Sequence, residues 1–189
     1  MKKIFQSLLI VVLAVSCTNQ KDEEIPSFHQ KVLFEMHQAS SFMGHQETCY
    51  LVDSSGYEFH FQSSINDTIK WNNPDKDGYI SLAEMNENLS HCNMLIGTVN
   101  PDTLSHYIGK IWAASKGKIS ESVTEQWFDA GIITYSAFIF DEKTNRYKKV
   151  MIKTKGDWMI DNDAPEAEEI YQWMMRINFT IILCTTPIN

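Results

Sequence analysis

The sequence predicts an α+β fold, in which an antiparallel sheet made of one hairpin and a C-terminal meander packs against about three helices. Three observations carry that reading. Apolar and polar residues alternate beyond Ser54-Ser55-Gly56, as they do in a hairpin arm. Helix-start signals follow at Ser81 and at Asn100-Pro101. The last third then returns to β-branched and aromatic residues before a final start signal at Asp163. No Pro- or Gly-rich linker, internal repeat or low-complexity tract interrupts residues 28–189, so they are read as a single domain.

The chain has 189 residues, of which 43% are hydrophobic and 21% charged, which is ordinary globular usage and argues against disorder. Its formal charge is −8, and losing Lys2 and Lys3 with a cleaved leader makes it −10. An acidic chain with no basic run lacks the footprint that phosphate binding needs, so nucleic acid is excluded as a partner.

The chain opens MKKIFQSLLIVVLAVSC, with Lys2 and Lys3 ahead of an apolar run from Leu8 to Val15 and small residues before Cys17. That is the layout of a secretory signal peptide, too short to span a bilayer as a helix. Leu13-Ala14-Val15-Ser16-Cys17 resembles the bacterial lipobox, although Ala14 stands where Leu is preferred. The resemblance implies a signal peptide over 1–16, cleavage before Cys17 and acylation of Cys17. Two or three acyl chains suffice for stable anchoring, where one is marginal. Gln20-Lys-Asp-Glu-Glu24 is similar to the export tag that sends lipoproteins of the Bacteroidota to the outer face of the outer membrane. Residues 17–27 also read as a polar tether.

Each element has a local reason. Phe28 to Met43 fits a helical stripe and a strand face equally. Thr48–Asp53 and Tyr57–Phe61 flank a turn with Gly56 available for positive φ. In the second arm Tyr57, Phe59 and Phe61 alternate with Glu58 and His60, which predicts one buried and one wet face. Ser81-Leu-Ala-Glu84 is a capping box, followed by Leu82, Met85 and Leu89 at helical spacing. The next helix starts with Asn100 as N-cap, carries Leu104, Ile108, Ile111 and Trp112, and is closed by Gly117. Gly131–Phe140, a polar turn over Asp141–Arg146, Tyr147–Lys153 and Trp158–Ile160 form the meander. The last helix has Asp163 as N-cap and Glu166 in its capping box, with Ile170, Trp173, Met174 and Ile177 as its packing face. Phe179–Cys184 is β-prone and reads as an edge strand or an apolar end.

The run Asn73-Pro-Asp-Lys-Asp-Gly-Tyr-Ile-Ser-Leu-Ala-Glu84 has the spacing of an EF-hand calcium loop. Asn73, Asp75, Asp77, Tyr79, Ser81 and Glu84 fall at its six ligand positions, and Gly78 at its sharp turn. Several features depart from that pattern: Asn73 for Asp, Pro74 at the second position, a short entering helix over 65–71 with Asn72 at its end, and no second loop. A turn leading into a capped helix explains Ser81 and Glu84 equally and is the preferred reading; Ca²⁺ is otherwise the one cofactor suggested.

Other chemistry is thin. Cys49, Cys92 and Cys184 allow one disulfide from three pairings, or none. The six histidines are scattered, and no HExxH, GxSxG or Cys/His zinc spacing occurs. Trp71, Trp112, Trp127, Trp158 and Trp173 are the side chains a glycan platform would use; Trp112 and Trp173 lie on apolar helix faces, and Trp71 and Trp127 are less determined. Asp67-Thr68-Ile69 and Asp102-Thr103-Leu104 are similar to the Bacteroidota O-glycosylation sequon, which marks Thr68 and Thr103 as acceptors. The sequence therefore points to a non-catalytic, lipid-anchored binding or accessory protein at the outer membrane with a protein or glycan partner. A calcium-stabilised form of it, or a small hydrolase, are the alternatives.

Overall fold

The computed structural model of the chain describes residues 30–40, 46–63, 69–92, 94–124 and 131–185, with the backbone alone for 178–185. Cys17, the leader, the tether, Thr68, Trp127, His29 and His45 lie outside the described residues.

The elements run β1 (Val32–Ser40), β2 (Gln46–Asp53), β3 (Tyr57–Gln62), β4 (Tyr79–Ser81), α1 (Leu82–His91), β5 (Met94–Thr98), α2 (Pro101–Ala114), β6 (Val123–Thr124), β7 (Ile132–Asp141), β8 (Arg146–Gly156), β9 (Trp158–Asp161) and α3 (Pro165–Thr185). Among the described residues, nine antiparallel strands share one sheet in the order β5-β3-β2-β1-β7-β8-β9-β6, with β4 paired to the outer edge of β8. The fold is broadly α+β, with sheet dominating over helix.

The ambiguous first segment is strand, not helix. Val32 to His37 are all buried because β1 lies between β2 and β7 and is covered on both faces. On one face α2 and α3 pack Leu104, Ile111, Ile170, Trp173 and Met174 against Phe34, Val52, Tyr135 and Val150. On the other, Trp71, Ile80, Met85 and Cys92 pack against Cys49, Leu51, Phe61, Phe138 and Tyr147.

The hairpin forms as its sequence indicates. Gly56 takes φ +85°, and Asp53 Oδ1 accepts from the N–H groups of Ser55 and Tyr57, both at 2.9 Å. The β7–β8 turn places Asn145 at φ 56°, a conformation that Asn tolerates. Asn100 caps α2, accepting from Asp102 N–H at 2.9 Å.

Several expectations are corrected. The face of β3 carrying Glu58 and His60 is not wet: Glu58 is 8% exposed, because Val52 opposite it faces the α2 layer. The middle of the chain is not wholly helical, since β5 stands between α1 and α2 and pairs with β3. Trp112 is only partly buried, with the Lys116 ammonium 4.2 Å from its ring centre. Gly117 does not act as the closing residue of α2; a Cβ there would stand 1.8 Å from Asn162 Oδ1. Asp163 does not cap α3. Its carboxylate accepts from Lys118 N–H at 2.7 Å, and α3 begins at Pro165, with the Ala164 carbonyl taking the Ala167 N–H. The tail is neither strand nor loose end, because α3 runs through it to Thr185.

Candidate functional site

The run Asn73–Glu84 folds as a tight turn, a strand stub and a capped helix. Asp75 organises the turn. Its Oδ1 accepts from Asp77 N–H at 2.9 Å and Tyr79 N–H at 3.0 Å, and the Arg146 guanidinium binds Oδ2. These contacts, led by the Tyr79 N–H, hold the Asp75 carboxyl below its usual range. Gly78 supplies the left-handed step at φ +80°. The Tyr79 carbonyl, at the seventh position of a calcium loop, accepts the Asp75 N–H at 2.8 Å. Ile80 pairs with Tyr147 of β8, where an EF-hand would pair with a second loop.

The capping box is complete. Ser81 Oγ accepts from Glu84 N–H at 3.2 Å, and Glu84 Oε2 receives Ser81 N–H at 2.9 Å and Ser81 O–H at 2.6 Å. The Ser81 hydroxyl and N–H hold the Glu84 carboxyl low. Asn73 turns its amide to the Trp71 carbonyl at 3.4 Å. Oxygens of Asp75, Tyr79, Ser81 and Glu84 are therefore each engaged within the protein. Among the described residues no three His, Cys, Asp or Glu side chains are grouped to hold a metal ion. Residues 69–71, the described end of the expected entering helix, are not helical. Asn72, in the slot expected to be apolar, has a structural partner: its N–H and carbonyl hold both ends of the buried Asn88 amide, at 2.8 and 2.9 Å.

Beneath this loop lies a polar layer with no local signature in the sequence. Glu35 on β1 binds Lys149 Nζ at 2.6 Å through Oε1 and accepts from the Trp71 indole N–H at 3.3 Å through Oε2. Burial would raise the Glu35 carboxyl, but Lys149, aided by His37 and the indole, outweighs it and leaves the pKa lowered. Glu47 accepts from Trp71 N–H at 3.3 Å and stands 3.7 Å from His37 Nε2. The Trp71 ring stacks on Phe61 at 5.2 Å, so this tryptophan, one of those open to a glycan platform, is a core residue. Lys149 N–H also donates to the Gly78 carbonyl at 2.8 Å, which ties the turn to the pair beneath it.

This layer clamps the loop to the sheet. Ser136 stands opposite Glu35 but is wholly buried, and its hydroxyl has no hydrogen bond among the described residues. Cys49 and Cys92 are free thiols; burial pushes Cys49 well up and Cys92 to about 12, so neither supplies a thiolate. The side chain of Cys184 lies outside the described residues. Thr103 sits in the first turn of α2, where its N–H meets Asn100 Oδ1 at 3.4 Å. An open groove of about 490 Å³ between α2 and α3 is lined by Tyr107, Glu169 and Arg176, but Glu169 is paired with Lys110 at 2.8 Å and Arg176 with Tyr107 at 3.2 Å. Comparison with protein-family models, curated proteins and solved structures finds no significant match to this chain.

Proposed function

We propose that the protein is a binding or accessory lipoprotein without catalytic activity, anchored at the outer membrane through acyl chains on Cys17 and facing outward. The observation that carries this reading is the leader, with its basic start, apolar run and Leu13–Cys17 motif followed by Gln20–Glu24. The folded part supports a role without chemistry of its own. Its buried acids and bases are largely spent on each other, and its described thiols are held protonated. Metabolic labelling with palmitate tests the anchor. Label should enter the wild-type chain and be lost in Cys17→Ser; label that survives this substitution sinks the reading. Protease added to intact cells should remove the domain if it faces outward.

A calcium-stabilised form of the same protein is the second reading, favoured by the ligand spacing from Asn73 to Glu84. It requires Asp75 and Glu84 to exchange their present donors for the ion.

A further inference from the structure

Cysteine and methionine are the side chains that two-electron oxidants attack through sulfur, and the fold sorts their sulfur atoms by access. A thiol ordinarily reacts first, but it does so as the thiolate. Cys49 and Cys92 are buried, and burial holds both protonated. Among the described methionines, Met36, Met85 and Met174 are buried, and Met151 and Met159 are half-buried. Met175 is 38% exposed, but its Sδ accepts the Tyr135 O–H at 3.5 Å. Met94 is 49% exposed, the most open of the described methionines.

Its place in the fold explains this. Met94 is the first residue of β5, which has a neighbouring strand on one side only among the described residues. It stands opposite His60 of β3, and Leu95 beside it is 58% exposed. A small solute reaches a thioether here without any opening of the fold. Sulfur in the two core clusters, at Met36, Met85 and Met174, is reached only when the fold opens locally.

We propose that Met94 is a modification site, the methionine that a peroxide converts to its sulfoxide while the domain stays folded. A lone pair of the thioether sulfur attacks one peroxide oxygen. The S–O bond forms as the O–O bond breaks, the displaced hydroxide takes the proton left on the transferred oxygen, and water leaves. Sulfur gives up two electrons and the peroxide accepts them. The sulfoxide is polar, which disrupts a packed core but is tolerated on a side chain already half in water. Oxidation therefore makes the start of the edge strand polar without unfolding it, and a methionine sulfoxide reductase restores the thioether. Export, as proposed above, would set the protein outside the reducing cytoplasm. The reaction itself does not depend on acylation of Cys17.

Peptide mass mapping of the full-length protein in peroxide-free detergent, after a limiting dose of hydrogen peroxide, tests the site. Oxygen should enter Met94 about threefold or more faster than any other described methionine, Met175 included. In urea the methionines should react alike, because the fold no longer ranks them. Protein oxidised at Met94 should melt at the same temperature as untreated protein. Equal uptake at Met175 in the folded protein, earlier oxidation of Cys49 or Cys92, or a preference for Met94 that survives urea overturns the proposal. So does a lowered melting temperature once Met94 is oxidised.

Discussion

Asn162 joins three parts of the chain through one side chain. Its amide donates to the Ala114 carbonyl at the end of α2 at 2.9 Å and to the Met151 carbonyl on β8 at 2.8 Å, while Oδ1 accepts from Ala164 N–H ahead of α3 at 3.1 Å. Asn162→Ala should cost about 2–3 kcal/mol in urea denaturation, the sum of modest net bonds and the carbonyls left unmet. A loss under about 0.5 kcal/mol, the range of an ordinary surface change, would show that water replaces it. Glu58 makes the opposite prediction. Burial raises its pKa above that of the unfolded chain, so protonation favours the fold. That stabilisation is complete below the unfolded carboxyl range and is lost as pH rises through the raised folded value. Glu58→Gln should therefore melt higher than wild type at neutral pH, with the gap closing in acid. A lower melting temperature at neutral pH would mean that the carboxylate has a partner after all.

At the level of elements, α1 depends on its first turn. Ser81→Ala removes the hydroxyl that meets Glu84 N–H and should cost about 1 kcal/mol. The preceding turn is held by Asp75 and Arg146, so millimolar Ca²⁺ should leave the melting temperature unchanged; a rise that disappears in Asp77→Ala would establish the calcium loop instead. The capping box and the Asn100 cap were legible in the sequence because each is closed within three residues. The hairpin and the meander were legible because each alternates across a short turn. β5 was missed: it is five residues long, contains Gly97 and shifts register against β3, so alternation never builds up. The end of α3 was misread because Phe179–Cys184 is locally β-prone. A helix already anchored by Ala167, Ile170 and Met174 extends at little cost, whereas a new strand needs an edge to join. The polar layer was invisible for a different reason: Glu35 and Lys149 are 114 positions apart, and nothing local announces a contact of that span. Glu58 was placed on a wet face because alternation names two faces without saying what covers either.

Across the whole molecule, the Glu35–Lys149 pair fastens the loop layer to the centre of the sheet. Glu35→Ala leaves a part-buried ammonium without its carboxylate and should cost about 2–3 kcal/mol. Glu35→Leu combined with Lys149→Met should recover most of that loss in the same urea titration. A double variant as weak as the two single losses added together would show that the charges do not act as a unit. The lowered Glu35 pKa gives stability that is present above the unfolded carboxylate range and lost as pH falls through the folded value, opposing the contribution of Glu58. The topology also has a kinetic side. β1, the central strand, is hydrogen-bonded to β7, and Gln30 beside it reaches the Phe138 carbonyl, 108 positions along the chain. The sheet cannot close until most of the polypeptide is present, because loop closure over that span precedes any reward from the long-range contacts. A nascent chain built this way leaves one side of its middle strand unpaired until β7 has been made, and an unpaired strand edge is the form that other chains can join.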